Sequence, residues 1–212
     1  ISAQLDQFMW NHYHQLDMLK AASSLVSDGN YRIDSTLIKQ LQASFPSFSW
    51  VGVTDANGIV KASSGDILLD SDISARPVFI EGAKGDFIGD VHEALLLSEL
   101  LPNPSGEPLR FVDISSPLYD KEGNFKGVLA AHLNWNWAQE RVAMTADTFS
   151  DSKRMDVLVL SKDYDVLLGP NELIGESLEQ TMVPISRSSE RHWASITWPD
   201  KQKYLTGFST PV

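Results

Sequence analysis

The phrase "WVGVTDANGIVKAS" (Trp50–Ser63) sets an apolar run, a polar turn and a second apolar run in succession. Asn57-Gly58 tolerates positive φ at both positions, so the phrase specifies a β-hairpin. The same grammar returns in "DISSPLYDKEGNFKGVLAAHL" (Asp113–Leu133), "DVLVLSKDYDVLLGP" (Asp156–Pro170) and "ASITWPDKQKYLTGFS" (Ala194–Ser209). Four such hairpins commit the chain to antiparallel pairing. They fit either one sheet or two small modules built alike.

The segments between them decide in favour of two modules. Residues 1–27 read as a helix, with Leu5, Phe8, Met9, Tyr13, Leu16, Leu19 and Val26 at helical spacing and Gly29 as its cap. Its ~27 residues make a rod of roughly 40 Å. That suits a core helix, a stalk or a dimerisation seam equally well. A second helix fits Asp34–Ala43, capped by Asp34 or Ser35 and ended by Pro46. After the first hairpin, Asp72 or Ser74 starts a short helix with Pro77 in its first turn, and "DFIGDV" follows as a strand. "EALLLSELL" is helical and "PNPSGEP" is loop; two strands then flank Lys121-Glu122-Gly123. The order of helix, two strands, helix and three strands is PAS-like: an antiparallel sheet with helices on one side. "NWAQERVAMTADTFSDSK" is a helix running into a polar linker. Beyond it lie the third hairpin, an irregular stretch with one helical turn over Gly175–Ile185, and the last hairpin. The fold class is therefore α+β: a long N-terminal helix, then two tandem PAS-like domains, the first larger. The expected boundaries are 1–48 for the helices, 49–142 for the first domain and 143–212 for the second.

The 212 residues carry 17 basic and 28 acidic side chains, for a net charge of −11. Such a surface argues against nucleic acid and anionic lipid as partners. No cysteine is present, which removes disulfides, thiolate catalysis and Cys-based zinc sites. No apolar run reaches the ~18 residues of a membrane span. The chain opens on Ile1 and stops at Val212 as if excised from something longer.

Enzyme signatures are missing: no G-x-S-x-G, no P-loop, and in "HEALL" no second His to complete H-E-x-x-H. The five histidines are scattered, and His12 and His14 do not share a helix face. No metal site and no cofactor are expected. Asp55-Ala56-Asn57-Gly58 imitates the start of a calcium loop but lacks the later ligands, so it reads as a turn. Asp163 and Asp165 read likewise.

With these phrases in order, the chain resembles the double Cache sensor module, the extracytoplasmic input domain of bacterial signalling receptors. "WVGVTDANGIVKAS", "DISARPVF" and "FVDISSPLYDKEGNFKGVLAAHLNW" carry the likeness, more strongly over 50–140 than over 150–212. The resemblance implies a long helix leaving one membrane span, a membrane-distal ligand-binding domain, and a smaller proximal domain whose last strand falls beyond Val212. It implies a periplasmic domain of an inner-membrane protein, able to dimerise through its N-terminal helix. The output would be a histidine kinase or diguanylate cyclase ahead of a chemotaxis transducer.

The resemblance also implies the site. Arg76 of "ARPVF" matches the arginine that binds the ligand carboxylate in amino-acid-sensing members, a role suited to a bidentate guanidinium. Val78 and Phe79 stand where those members have an aromatic pair, and His132 stands where they have the Asp that holds the ammonium. A His is a poorer ammonium acceptor, so the expected ligand is anionic and lacks an ammonium, such as a small organic acid. Asp90 falls where the cover meets the sheet. Phe111 and Asp113 alternate with Val112 and so share one face. Trp50, Trp135 and Trp137 read as core; Trp198 and Tyr204 could line a second, proximal cavity, where the resemblance places ligands less often, and they are not taken as site residues. The chain itself is expected to have no enzymatic activity. A free solute-binding protein and a hydrolase with an unrecognised site are the alternatives.

Overall fold

A computed structural model describes residues 2–22, 35–93, 95–103, 109–148, 155–186 and 193–209. The expected cap at Gly29, the capping Asp34, Ala94, most of the "PNPSGEP" loop and the linker after Thr148 lie outside these residues. The chain divides into two compact units, Met9–Trp137, and residues 1–8 together with 138–212.

In the first unit, α1 (Ser2–Ala22, whose first residues belong to the other unit) and α2 (Ser35–Ser44) precede the hairpin of β1 (Phe48–Thr54) and β2 (Val60–Ser63). A short helix, α3 (Pro77–Gly82), leads to β3 (Phe87–Ile88), β4 (His92–Glu93) and α4 (Leu95–Leu100). The long strands β5 (Arg110–Tyr119) and β6 (Phe125–Asn134) complete the unit. The sheet order is β2-β1-β6-β5-β3, and β4 also pairs with β5. Every pairing is antiparallel.

The hairpins form because their turns bond themselves. In the first, Asp55 Oδ1 accepts the N–H groups of Asn57 (2.9 Å) and Ile59 (3.0 Å), and Gly58 takes φ 85°. In the β5–β6 hairpin, Asp120 Oδ1 accepts from Glu122 (3.1 Å) and Asn124 (2.8 Å). An aspartate that satisfies the N–H groups ahead of it is a turn device, as the sequence implied. Hydrogen bonds from Asn124, and with them Lys126, hold the Asp120 carboxyl well below the usual carboxylate range.

Nearly all of β1, β5 and β6 is buried without alternation. This corrects the expected sheet with helices on one side, because unbroken burial requires cover on both faces. One face carries Trp50, Phe111, Val128 and Ala130, packed with Val78 and Phe79 of α3 and Leu97 of α4. Gly82 brings α3 close: a Cβ there would stand 2.4 Å from Ser115 Oγ. Toward the other face, α1 sets His12 Nε2 2.6 Å from Ser47 Oγ and its ring 5.3 Å from that of Phe48. A bulge between Phe48 and Trp50 turns Phe48 to that side, opposite Leu133. Tyr13 of α1 donates to Asp86 Oδ2 (2.6 Å), and Ser116 of β5 donates to Asp86 Oδ1 (2.7 Å).

The short helix α3 differs from expectation at its start. Neither Asp72 nor Ser74 caps it; Arg76 holds the cap position in extended geometry. Asp72 instead accepts the N–H of Ser74 (2.8 Å), which makes a separate turn.

In the second unit, α5 (Asn136–Thr148) precedes a hairpin of β7 (Val159–Leu160) and β8 (Val166–Leu168). Then come α6 (Glu179–Ser186) and a second hairpin, β9 (Trp193–Thr197) with β10 (Lys203–Gly207). These hairpins form two separate two-stranded sheets. Val166, Leu178 and Met182 are the buried core, with Trp198 packed against it.

Two outcomes follow from this packing. Burial pushes the Asp86 carboxyl up, but hydrogen bonds from Tyr13 and Ser116 and the charge of Lys20 outweigh it and hold the group low. The Tyr13 hydroxyl is pushed up to about 12, first by its bond to Asp86. A lowered carboxyl stabilises fully above its unfolded value and a raised phenol fully below its own, so the pair's whole contribution is present from about pH 4 to about pH 10. Tyr13→Phe should cost about 1 kcal/mol near neutral pH, and urea titrations should show that cost shrinking as pH falls below about 4. Gly82→Val should force α3 off the sheet at a cost of roughly 1–3 kcal/mol, read by the same titration.

Candidate functional site

The α3-covered face of the sheet holds a polar group in an apolar setting. Phe111 pairs with Asn134, Asp113 with His132 and Ser115 with Ala130. With a side-chain period of two, Phe111, Asp113, Ser115, Ala130 and His132 all point to one face. That face is shared with Trp50, Val78 and Phe79.

Asp113 and His132 are both buried, at 4% and 8% exposure. His132 Nδ1 lies 2.5 Å from Asp113 Oδ1. At that distance the two atoms are in direct contact, yet neither has a hydrogen-bond partner of acceptable alignment. The distance decides that they interact; the angles decide that the contact is not an ordinary hydrogen bond. The His132 ring lies 5.5 Å from Trp50 and 5.9 Å edge-on from Phe111, centroid to centroid. Trp50 is itself pinned, its indole N–H donating to the Ile67 carbonyl at 3.0 Å.

His92 joins this pair from β4, which pairs with β5 so that His92 faces Phe111. Its Nε2 stands 3.6 Å from Asp113 Oδ1, and its ring lies 6.1 Å from that of His132. Its Nδ1 lies 3.2 Å from the Asp90 carbonyl oxygen. Sequence spacing missed His92, because "HEALL" reads only as a broken helical motif. Its place on the α3-covered face comes from a two-residue strand with no alternating pattern to mark it. Histidines scattered in the sequence thus meet in the fold: His92 and His132 both lie against the Asp113 carboxylate.

The other expected residues fall as follows. Phe111 and Asp113 do share a face, and it is the covered one. Val78 and Phe79 are buried as apolar lining. Arg76 is exposed at the start of α3, where its carbonyl receives the N–H groups of Phe79 and Ile80 (both 3.0 Å). Asp90 is exposed, and its carboxylate accepts the Val91 N–H at 2.8 Å. Trp135 and Trp137 are buried against each other, rings 5.4 Å apart. In the second unit Tyr204 is exposed and donates to Asp200 (2.7 Å), while the Trp198 indole N–H donates to Thr206 (2.9 Å).

No protein-family model and no curated protein matches the chain. Solved structures do. The sensory domain of the Campylobacter jejuni chemoreceptor Tlp3 superposes with a TM-score of 0.68 at 13% identity, over 96% of this chain and 82% of that one. The ligand-binding domain of the Pseudomonas aeruginosa amino acid chemoreceptor PctB, in complex with L-Arg, gives 0.67 at 16%, over 98% and 76%. An extracellular ligand-binding receptor from Desulfohalobium retbaense gives 0.65 at 15%, over 93% of this chain but 35% of that one. The chain has the fold of Cache-type extracellular sensor domains, and the resemblance read from its motifs holds at the level of the fold. These neighbours are ligand-binding and sensory domains.

If Asp113 and His132 act as one unit, their truncations are not additive. A double-mutant cycle of Asp113→Ala and His132→Ala, read by urea unfolding, should give a coupling of roughly 0.5–3 kcal/mol. Additive costs would show that the two side chains stand independently.

Proposed function

We propose that the chain is the extracytoplasmic ligand-binding input domain of a bacterial membrane receptor. What supports this is a sensor-type fold whose covered sheet face carries the buried Asp113–His132 pair among Trp50, Phe111 and Phe79. Ligand sites are mostly apolar, with a few polar groups that fix orientation. In this reading the unit Met9–Trp137 is the membrane-distal sensor and the smaller unit is membrane-proximal. No helix among the described residues is long and apolar enough to cross a membrane. The receptor dimerises along its N-terminal helix and carries a histidine kinase, a diguanylate cyclase or a chemotaxis output.

The ligand is a small organic acid. Arg76, exposed at the start of α3, takes its carboxylate by a bidentate contact, and His132 meets its far end. A second reading rests on Asp113. That buried carboxylate supplies, from the neighbouring strand, the anionic acceptor that position 132 lacks. It favours a ligand that also carries a cationic nitrogen. A ligand transmits a signal only by preferring one conformation of the domain over another, and closure of α3 is the change proposed.

A thermal-shift screen against dicarboxylates, hydroxy acids, α-amino acids and γ-amino acids tests both readings. A ligand at about 100 times its dissociation constant adds about 2.7 kcal/mol, which moves the midpoint by several degrees. Arg76→Ala should abolish the shift and leave the ligand-free midpoint unchanged. Binding of α-amino acids alone would select the Asp113 reading over the organic acid. No shift with any carboxylate, or full binding by Arg76→Ala, would overturn the proposal.

A further inference from the structure

We infer that His92, Asp113 and His132 form a binding site for one divalent first-row transition-metal ion. Each offers one ligand atom, and the three atoms lie within 4.8 Å of one another. An ion bound at about 2.0–2.2 Å by nitrogen and oxygen holds its ligands roughly 3–3.5 Å apart. The observed contacts of 3.6 Å (His92 Nε2 to Asp113 Oδ1) and 2.5 Å (His132 Nδ1 to Asp113 Oδ1) bracket that spacing.

Three features distinguish this arrangement from a solvated cluster. First, Asp113 and His132 are buried, and their facing atoms lack hydrogen-bond partners among the described residues. A buried carboxylate left so is costly, and a cation between the two lone pairs removes the cost. Second, the His92 ring is set for ligation. A carbonyl only accepts, so the bond to the Asp90 carbonyl places the hydrogen of a neutral ring on Nδ1 and leaves the Nε2 lone pair toward Asp113. That outer contact is the kind that orients metal-binding histidines. Third, Trp50 and Phe111 wall the His132 ring, giving the ion an apolar surround.

Two imidazoles and one carboxylate select zinc, nickel, cobalt or iron(II) over calcium and magnesium, which prefer all-oxygen sets. Three protein ligands leave coordination positions open. A metabolite carboxylate can fill one, so the ion and the organic ligand would share this face. That sharing rests on the proposed sensor function; binding of the ion does not.

The test uses tag-free protein, stripped with a chelator, dialysed and titrated with Zn²⁺ by calorimetry and with Co²⁺ by visible absorption. The expected result is one ion per chain, a raised melting midpoint, and a Co²⁺ spectrum showing nitrogen ligation. His92 is 40% exposed on a two-residue strand, so His92→Ala should fold with an unchanged metal-free midpoint. It should lose affinity on the order of 100-fold, whereas His14→Ala should lose none. Absence of stoichiometric uptake, or uptake that survives both His92→Ala and Asp113→Asn, overturns the site. Repeating the carboxylate screen with and without Zn²⁺ separates the two proposals. Metal uptake with no organic ligand would sink the sensor reading alone, and organic binding without metal uptake would sink the ion site alone.

Discussion

The β5–β6 ladder is the constraint on which the first unit depends. It runs in register from Phe111 opposite Asn134 to Pro117 opposite Val128, and both strands are covered on both faces. Every other strand of this sheet is placed by it: β1 and through it β2 on the β6 side, β3 and β4 on the β5 side. A slip of one residue would exchange the two faces. It would carry Asp113 and His132 away from α3 and put Val112 and Leu133 in their place. The apolar register therefore fixes the polar pair as well as the core.

The two faces divide the labour. Toward α1, Phe48 and Leu133 are apolar, and the polar contacts are His12 with Ser47 and the meeting of Tyr13 and Ser116 at Asp86. Toward α3, the apolar layer is interrupted by the Asp113 carboxylate, the His132 imidazole and the Ser115 hydroxyl, with a second imidazole beside the first two. Burying such a pair gains little stability compared with an apolar pair of the same volume. It lies between the rings of Trp50 and Phe111, on the face covered by a helix of only six residues, which is the face proposed to bind ligand.

The tight turns were legible because each writes its own chemistry locally. Asp55 with Gly58 and Asp120 with Gly123 bond within four or five residues, so no distant contact is needed to form them. The third hairpin is informative in the other direction. It turns through Tyr164 at φ 66°, with Ser161 Oγ accepting the N–H groups of Asp163 and Asp165. Asp163 and Asp165 marked the turn in the sequence, but it is their backbone N–H groups, and not their carboxylates, that close it. The start of α3 was misread because Asp72 and Ser74 are good caps in isolation; here they spend that capacity on each other.

The sequence by itself determined the α+β class, the four hairpins, the order of the elements apart from the two-residue strand β4, and the shared face of Phe111 and Asp113. All of these follow from periodicity and from bonds between near neighbours. The tertiary structure alone decided that the sheet is covered on both faces. It alone brought His92 of β4 to Asp113 of β5 and His132 of β6, and left Arg76 exposed at the edge of the cover. The reason is that strand pairing joins residues far apart in the chain. Side-chain periodicity shows which residues can share a face, but not which strand will lie beside them.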